Sequence, residues 1–190
     1  MATGKLDTAG NLVLTGETTS TNFPTVSPLQ GTALGNGDAF VARLNSTGTA
    51  FLYSSYLGGA GLDRGLALTL DSQNGIYVSG STASTDFPLL GATKGTVGGT
   101  DAFVTKFNPQ LSAVLYSTYL GGAGTDAGRG IAADLTGAYI TGTTASADMA
   151  VTNGTSLGGV QDAFYAKLSS VCTYSTNPTG TINIAANARK

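Results

Sequence analysis

The residues of this 190-residue chain best suited to chemistry are carboxylates set among glycines. Asp63 and Asp126 each close a Gly-Gly-Ala-Gly-x-Asp run, with Arg64 and Arg129 beside them, and Asp86 and Asp148 stand in the loops that follow. There is no histidine, and Cys172 is the single cysteine. A Ser-His-Asp triad, a Cys-His pair, a His-ligated zinc or iron site, a four-cysteine metal site and an intrachain disulfide are therefore excluded within the chain. Without imidazole, the ion that clustered carboxylates suit is hard: Ca2+, Mg2+ or Mn2+. On that reading Asp63 and Asp126 are the metal ligands, and also the candidates for a catalytic base or nucleophile. Arg64, Arg129, Asp86 and Asp148 are the candidate ligand-binding residues. A plainer reading makes Asp63 and Asp126 turn residues that cap their own backbone, with the arginines as ordinary ion-pair partners. Cys172 reads as a small apolar strand residue.

The elements that must position these residues come from an internal repeat. The segment from Tyr53 to Pro88 returns 63 residues later, from Tyr116 to Asp148, and such a period marks one structural unit used several times. Each unit resolves into four short strands: 3–7, 11–18, 38–45 and 50–59; then 65–71, 75–82, 101–108 and 113–122; then 130–134, 138–144, 162–169 and 171–175. In the third strands one face carries Phe40, Ala42 and Leu44, then Phe103, Thr105 and Phe107, then Phe164, Ala166 and Leu168. The other face carries Val41, Val104 and Tyr165. Apolar groups on both faces at period two imply sheets covered on both sides. The turns that start at Asp7, Asp71 and Asp134 pair an aspartate with Gly or Asn-Gly, the chemistry of a tight hairpin. With 28 glycines and only 11% charged residues, short strands and turns fit better than helices. Repeated four-stranded antiparallel units of this kind predict an all-β fold, a β-propeller of three blades per chain.

The runs DAFVARLN, LYSSYLGGAG, GLALTLD and GIYVSGSTASTDFP, with their second copies, resemble the bacterial SBBP β-propeller repeat over roughly residues 3–170. That resemblance implies blades at 1–59, 60–122 and 123–176, in a large secreted bacterial protein with no established general activity. The remainder, 177–190, is expected to be a flexible tail. The stretch CTYSTNPTGTINIAANARK is similar to the opening of an immunoglobulin-like module, and the chain is expected to be a fragment of a longer protein. By analogy with other propellers, the first strand of each blade lines a central channel. The Gly-rich loops, with Asp63, Arg64, Asp126 and Arg129, then share the channel mouth with the loops of Asn22, Asp86 and Asp148.

Charge and hydropathy narrow the partners. A net charge of −2 and an isoelectric point near 4.8 argue against nucleic acid or an anionic membrane. No apolar run is long enough to span a bilayer, and no signal peptide is expected in the chain. Three blades fall short of the roughly four to eight that close a ring. Two chains head to tail would make six, so a homodimer of about 38 kDa, twice the 18.9 kDa chain, is expected. The function favoured is a self-assembling extracellular scaffold or binding module. The alternative is a divalent-metal-dependent hydrolase of lactones, esters or phosphotriesters, resembling six-bladed calcium propellers in layout. Asp63 or Asp126 would then serve as base or nucleophile.

Overall fold

The computed structural model describes residues 2–92, 98–149, 160–169 and 182–187. Among them the chain is all-β, in three antiparallel sheets: β1 (Thr3–Leu6), β2 (Leu12–Thr18), β3 (Asp38–Leu44) and β4 (Phe51–Leu57); β5 (Asp63–Leu70), β6 (Ile76–Thr82), β7 (Asp101–Phe107) and β8 (Val114–Leu120); β9 (Asp126–Asp134), β10 (Gly137–Thr144), β11 (Asp162–Ser169) and β12 (Ile182–Asn187). Each sheet is a meander in which sequence neighbours pair. Local turn chemistry makes this so. Asp7 Oδ1 accepts from the N–H groups of Ala9 and Asn11, and Asp71 Oδ1 from those of Gln73 and Gly75. The positive φ that closes each hairpin falls at Gly10 and Asn74.

The third sheet departs from expectation at its last strand. The strand that pairs with β11 is Ile182–Asn187, in the segment read from sequence as a tail. The segment 171–175, with Cys172, lies outside the described residues. Alternating β-branched residues, Ile182 and Ile184 about Asn183, give that stretch the pattern of a strand, which the likeness to another module masked.

Consecutive sheets pack face to face, with β5 lying on the first sheet and β9 on the second. One core joins Val13, Val41 and Leu57 of the first sheet to Ile76, Val78, Phe103 and Tyr119 of the second. The other joins Tyr77, Val104 and Leu120 to Ile140, Phe164 and Leu168. Alternation along β6 and β7 therefore sends Ile76, Val78 and Phe103 toward the preceding sheet and Tyr77 and Val104 toward the following one, the two-sided pattern read from sequence. Close approach is set by glycine. A Cβ on Gly65 would meet Thr15 Oγ1 at 2.0 Å, and one on Gly128 would meet Ser79 Oγ at 2.0 Å. Both hydroxyls are engaged by strand carbonyls, Thr15 donating to Phe40 and Ser79 to Phe103.

The loop between the second and third strands returns to guard the outer edge. Val26 bridges Ser54 on β4, and Leu90 bridges Ser117 on β8. The aromatic that follows the loop's polar residue packs beneath it, Phe23 on Phe40 and Tyr56, and Phe87 on Phe103 and Tyr119. Such cover occupies donors and acceptors that a bare edge would offer to another chain.

Candidate functional site

The carboxylates gather where one sheet hands over to the next. The backbone brings them there: Gly37 and Leu62 form a parallel bridge, and the Asp63 N–H donates to the Gly37 carbonyl at 2.8 Å. The residues next along, Asp38 opening β3 and Asp63 opening β5, are thereby set side by side. Thr100 and Thr125 repeat the bridge and place Asp101 beside Asp126. All four aspartates are fully buried.

Around them the Gly-Gly-Ala-Gly loop is clasped by its own successive amides. Gly59 N–H donates to Asp63 Oδ2 at 2.8 Å, Ala60 N–H to Asp86 Oδ1 at 2.8 Å and Gly61 N–H to Ser84 Oγ at 2.8 Å. Ser84 in turn donates its hydroxyl to Asp63 Oδ2 at 2.7 Å. The second boundary copies this with Gly122, Ala123 and Gly124 on Asp126, Asp148 and Ser146. The plain reading of Asp63 and Asp126 as residues that cap their own turn therefore describes one oxygen of each. Asp86 and Asp148 are exposed, and the oxygen of each that faces the loop holds its amide.

The other oxygens are less well served. Asp38 Oδ2 accepts from the Leu34 N–H at 2.9 Å, while Asp38 Oδ1, Asp63 Oδ1 and Asp126 Oδ1 are buried without a hydrogen-bond partner. Burial pushes the Asp38 carboxyl above the usual range, and the neighbouring charges of Asp63 and Asp86 push it further, against the Leu34 and Gly35 amides. Burial likewise raises Asp63, against donors from Thr82, Gly59 and Ser84.

The arginines take other places. Arg64 leaves its carboxylate neighbour and pairs with Glu17 of the preceding sheet, Nε to Oε2 at 2.8 Å. Arg129 occupies a bulge of β9, where the register with β10 shifts, and donates to Thr143 Oγ1 at 3.2 Å. The two are not equivalent positions: Arg64 stands one residue past its aspartate and Arg129 three. Within one chain Asp63 and Asp126 stand at separate boundaries, each beside its own aspartate partner, Asp38 and Asp101. Among the described residues no group of three or more acidic, histidine or cysteine side chains is arranged to hold a metal. Asp63 and Asp126, the candidates for a catalytic base or nucleophile, are both fully buried in this conformation.

Sequence reasoning passed over Asp38, Asp101, Ser84 and Ser146. The repetition of Asp before Ala-Phe and of Ser two residues before Asp86 and Asp148 was visible, yet strand and loop roles accounted for both. No protein-family model matches the chain, and no curated protein matches it. No helix among the described residues is long and apolar enough to cross a membrane.

Proposed function

We propose that the chain is a run of β-propeller blades of the SBBP type that serves as a self-assembling scaffold or binding module in an exported bacterial protein. Two copies, stacked head to tail, complete a ring of six blades.

The observation that carries this reading is a contrast between equivalent positions. Tyr77 and Val104 of the middle sheet are fully buried, whereas Tyr139 and Tyr165, at the same places in the third sheet, are 42% and 51% exposed. At the opposite end, Leu12 is 38% exposed where its counterpart Ile76 is fully buried. The two end faces are those that the middle sheet buries against its neighbours, and each is complementary to the other because the same pair already packs twice within the chain. Burying such faces releases roughly 25 cal/mol per Å². The occupant proposed is a second copy, since it presents the matching face.

Light scattering or native mass spectrometry at micromolar concentration tests this, with about 38 kDa expected from the 18.9 kDa chain. A stable monomer overturns it, and a trimer or fibre overturns the six-bladed ring. Tyr165→Asp should split the assembly and leave the chain folded, whereas Val104→Asp should unfold it.

A further inference from the structure

We propose that the joint between the first and second sheets is a pH-sensitive contact: a proton on Asp38, beside the charged Asp63, lets the start of β3 lie against the start of β5, and the joint loosens when that proton leaves. This goes beyond the scaffold reading and does not depend on closure of a ring.

The geometry fixes which of the two carboxyls takes the proton. A Cβ placed on Gly58 would meet Asp63 Oδ2 at 2.5 Å and Asp38 Oδ1 at 2.7 Å, so these two oxygens lie no farther apart than those lengths together. Asp63 Oδ2 is well served there, accepting from the Gly59 amide at 2.8 Å and from the Ser84 hydroxyl at 2.7 Å. Donors to a carboxylate favour its charged form. Asp38 Oδ2 takes the Leu34 amide at 2.9 Å and the Gln30 side chain at 3.4 Å, while Asp38 Oδ1 has no hydrogen-bond partner. Both residues are fully buried, and two like charges that close, away from water, cannot both ionise at the ordinary carboxylate pH. Asp38 is therefore the group that stays neutral, with its hydrogen on the oxygen that lacks a partner and lies toward Asp63 Oδ2.

The charged groups packed around the pair do not offset it. Burial is the largest cause of the rise in both carboxyls, and Asp86, on the loop after β6, adds a third negative charge that pushes both further up. Arg64, next to Asp63 on β5, turns to Glu17 of β2 at 2.8 Å. Tyr119 of β8 comes within electrostatic reach of Asp63, but burial holds its own proton in place, and its hydroxyl donates to the Ser84 carbonyl at 2.8 Å. A carboxyl whose native value lies above its unfolded one binds its proton more tightly in the folded chain. The stability that Asp38 confers is thus complete below the ordinary value of 3.8 and is lost as pH rises through the native one.

The test compares thermal melts of the full chain and of Asp38→Asn from about pH 4 to about pH 8. The variant keeps an acceptor for the Leu34 amide and puts an N–H group where the bare oxygen stands. It should melt above wild type at neutral pH, and the gap should close on acidification. A gap that does not change with pH, or one that favours wild type at neutral pH, overturns the proposal. Carbon-13 NMR titration of the assigned Asp38 carboxyl in wild type should place it above the ordinary range, and Asp63→Asn should move it down by removing the neighbouring charge. An ordinary titration of Asp38 overturns the proposal even if Asp38→Asn fails to fold. Mass measured in the same buffers keeps the joint apart from the ring. A constant mass, of monomer or dimer, leaves the melting gap to the joint, whereas a mass that changes with pH in wild type and not in Asp38→Asn would place the proton's effect between copies and overturn the proposal.

Discussion

Lys106 Nζ stands 3.5 Å from Asp71 Oδ2 at the hairpin end of the second sheet, with the Tyr77 ring under the ammonium at 4.7 Å and the Tyr77 hydroxyl donating to the same carboxylate at 3.2 Å. The arrangement is periodic. Lys167 lies over the Tyr139 ring at 4.9 Å in the third sheet, beside Asp134, and Arg43 meets Asp7 at 3.5 Å in the first. Each basic residue comes from the third strand and each aspartate from the first turn, so the pair ties the two ends of a sheet's inner strands together.

The Lys106–Asp71 pair is nearly buried, with side chains 12% and 4% exposed. Removing one partner of a buried pair leaves the other charge uncompensated, at a cost of roughly 3–5 kcal/mol. Lys106→Ala should therefore fall near the lower end of that range, because Asp71 keeps the Gln73 and Gly75 amides. Urea unfolding of Lys106→Ala beside the double variant Lys106→Met, Asp71→Asn measures it. A double variant no more stable than the single one would contradict the assignment.

Acid should weaken the first sheet through Asp7. Burial works against its charged form, but donors from the Asn11 side chain and from the Asn11 and Ala9 amides, with the Arg43 charge, outweigh it and hold the carboxyl below its usual value of 3.8. The unfolded chain then binds this proton more readily than the native one. The stability it confers is complete above the unfolded value and is lost as pH falls through the native one, below about pH 4. Asp7→Asn should be less stable at neutral pH and show a shallower decline on acidification, read from denaturation midpoints across that window. Parallel curves for the two proteins would exclude the effect.

Ser84 should matter more than Asp86 to the clasp of the first boundary. Ser84→Ala strips a donor from the buried Asp63 carboxylate and an acceptor from the Gly61 amide, and leaving buried polar groups unpaired costs about 1–3 kcal/mol. The exposed Asp86 supplies one bond to the Ala60 amide, which water can replace. Thermal melts should rank Ser84→Ala well below Asp86→Ala. Equal losses would show that the loop is held by other means.

Glycine in the first boundary loop is required by space. A Cβ on Gly61 would meet the carbonyl carbon and oxygen of Ala83 at 2.6 Å, backbone atoms that cannot swing aside. Gly61→Ala should therefore cost about 1–3 kcal/mol or more through overpacking. Gly31→Ala, whose Cβ meets only Pro28 Cγ at 3.6 Å, should be close to neutral. Chemical denaturation of both variants compares them directly, and a neutral Gly61→Ala would mean that the loop can shift.

The sequence by itself determined the repeating unit. Period-two alternation in DAFVARL and DAFVTKF, and an aspartate with a positive-φ residue at each tight turn, act over a few residues, and so the strands and the first three places of every sheet were legible. The two-sided burial of the middle sheet followed from the same alternation, since a strand apolar on both faces must be covered twice. What a side chain meets across a boundary was not legible, because those contacts join residues whose separation along the chain carries no periodic signal. Asp63 looked like a ligand beside an arginine. Tertiary packing paired Arg64 with Glu17 instead, and a parallel bridge between Gly37 and Leu62 set Asp63 against Asp38. Sequence period made Asp63 and Asp126 a natural pair with each other. The stacking of sheets sent each to its own boundary, because a backbone hydrogen bond from the first residue of one sheet's first strand to the residue just before the preceding sheet's third strand decides which carboxylates share a buried space.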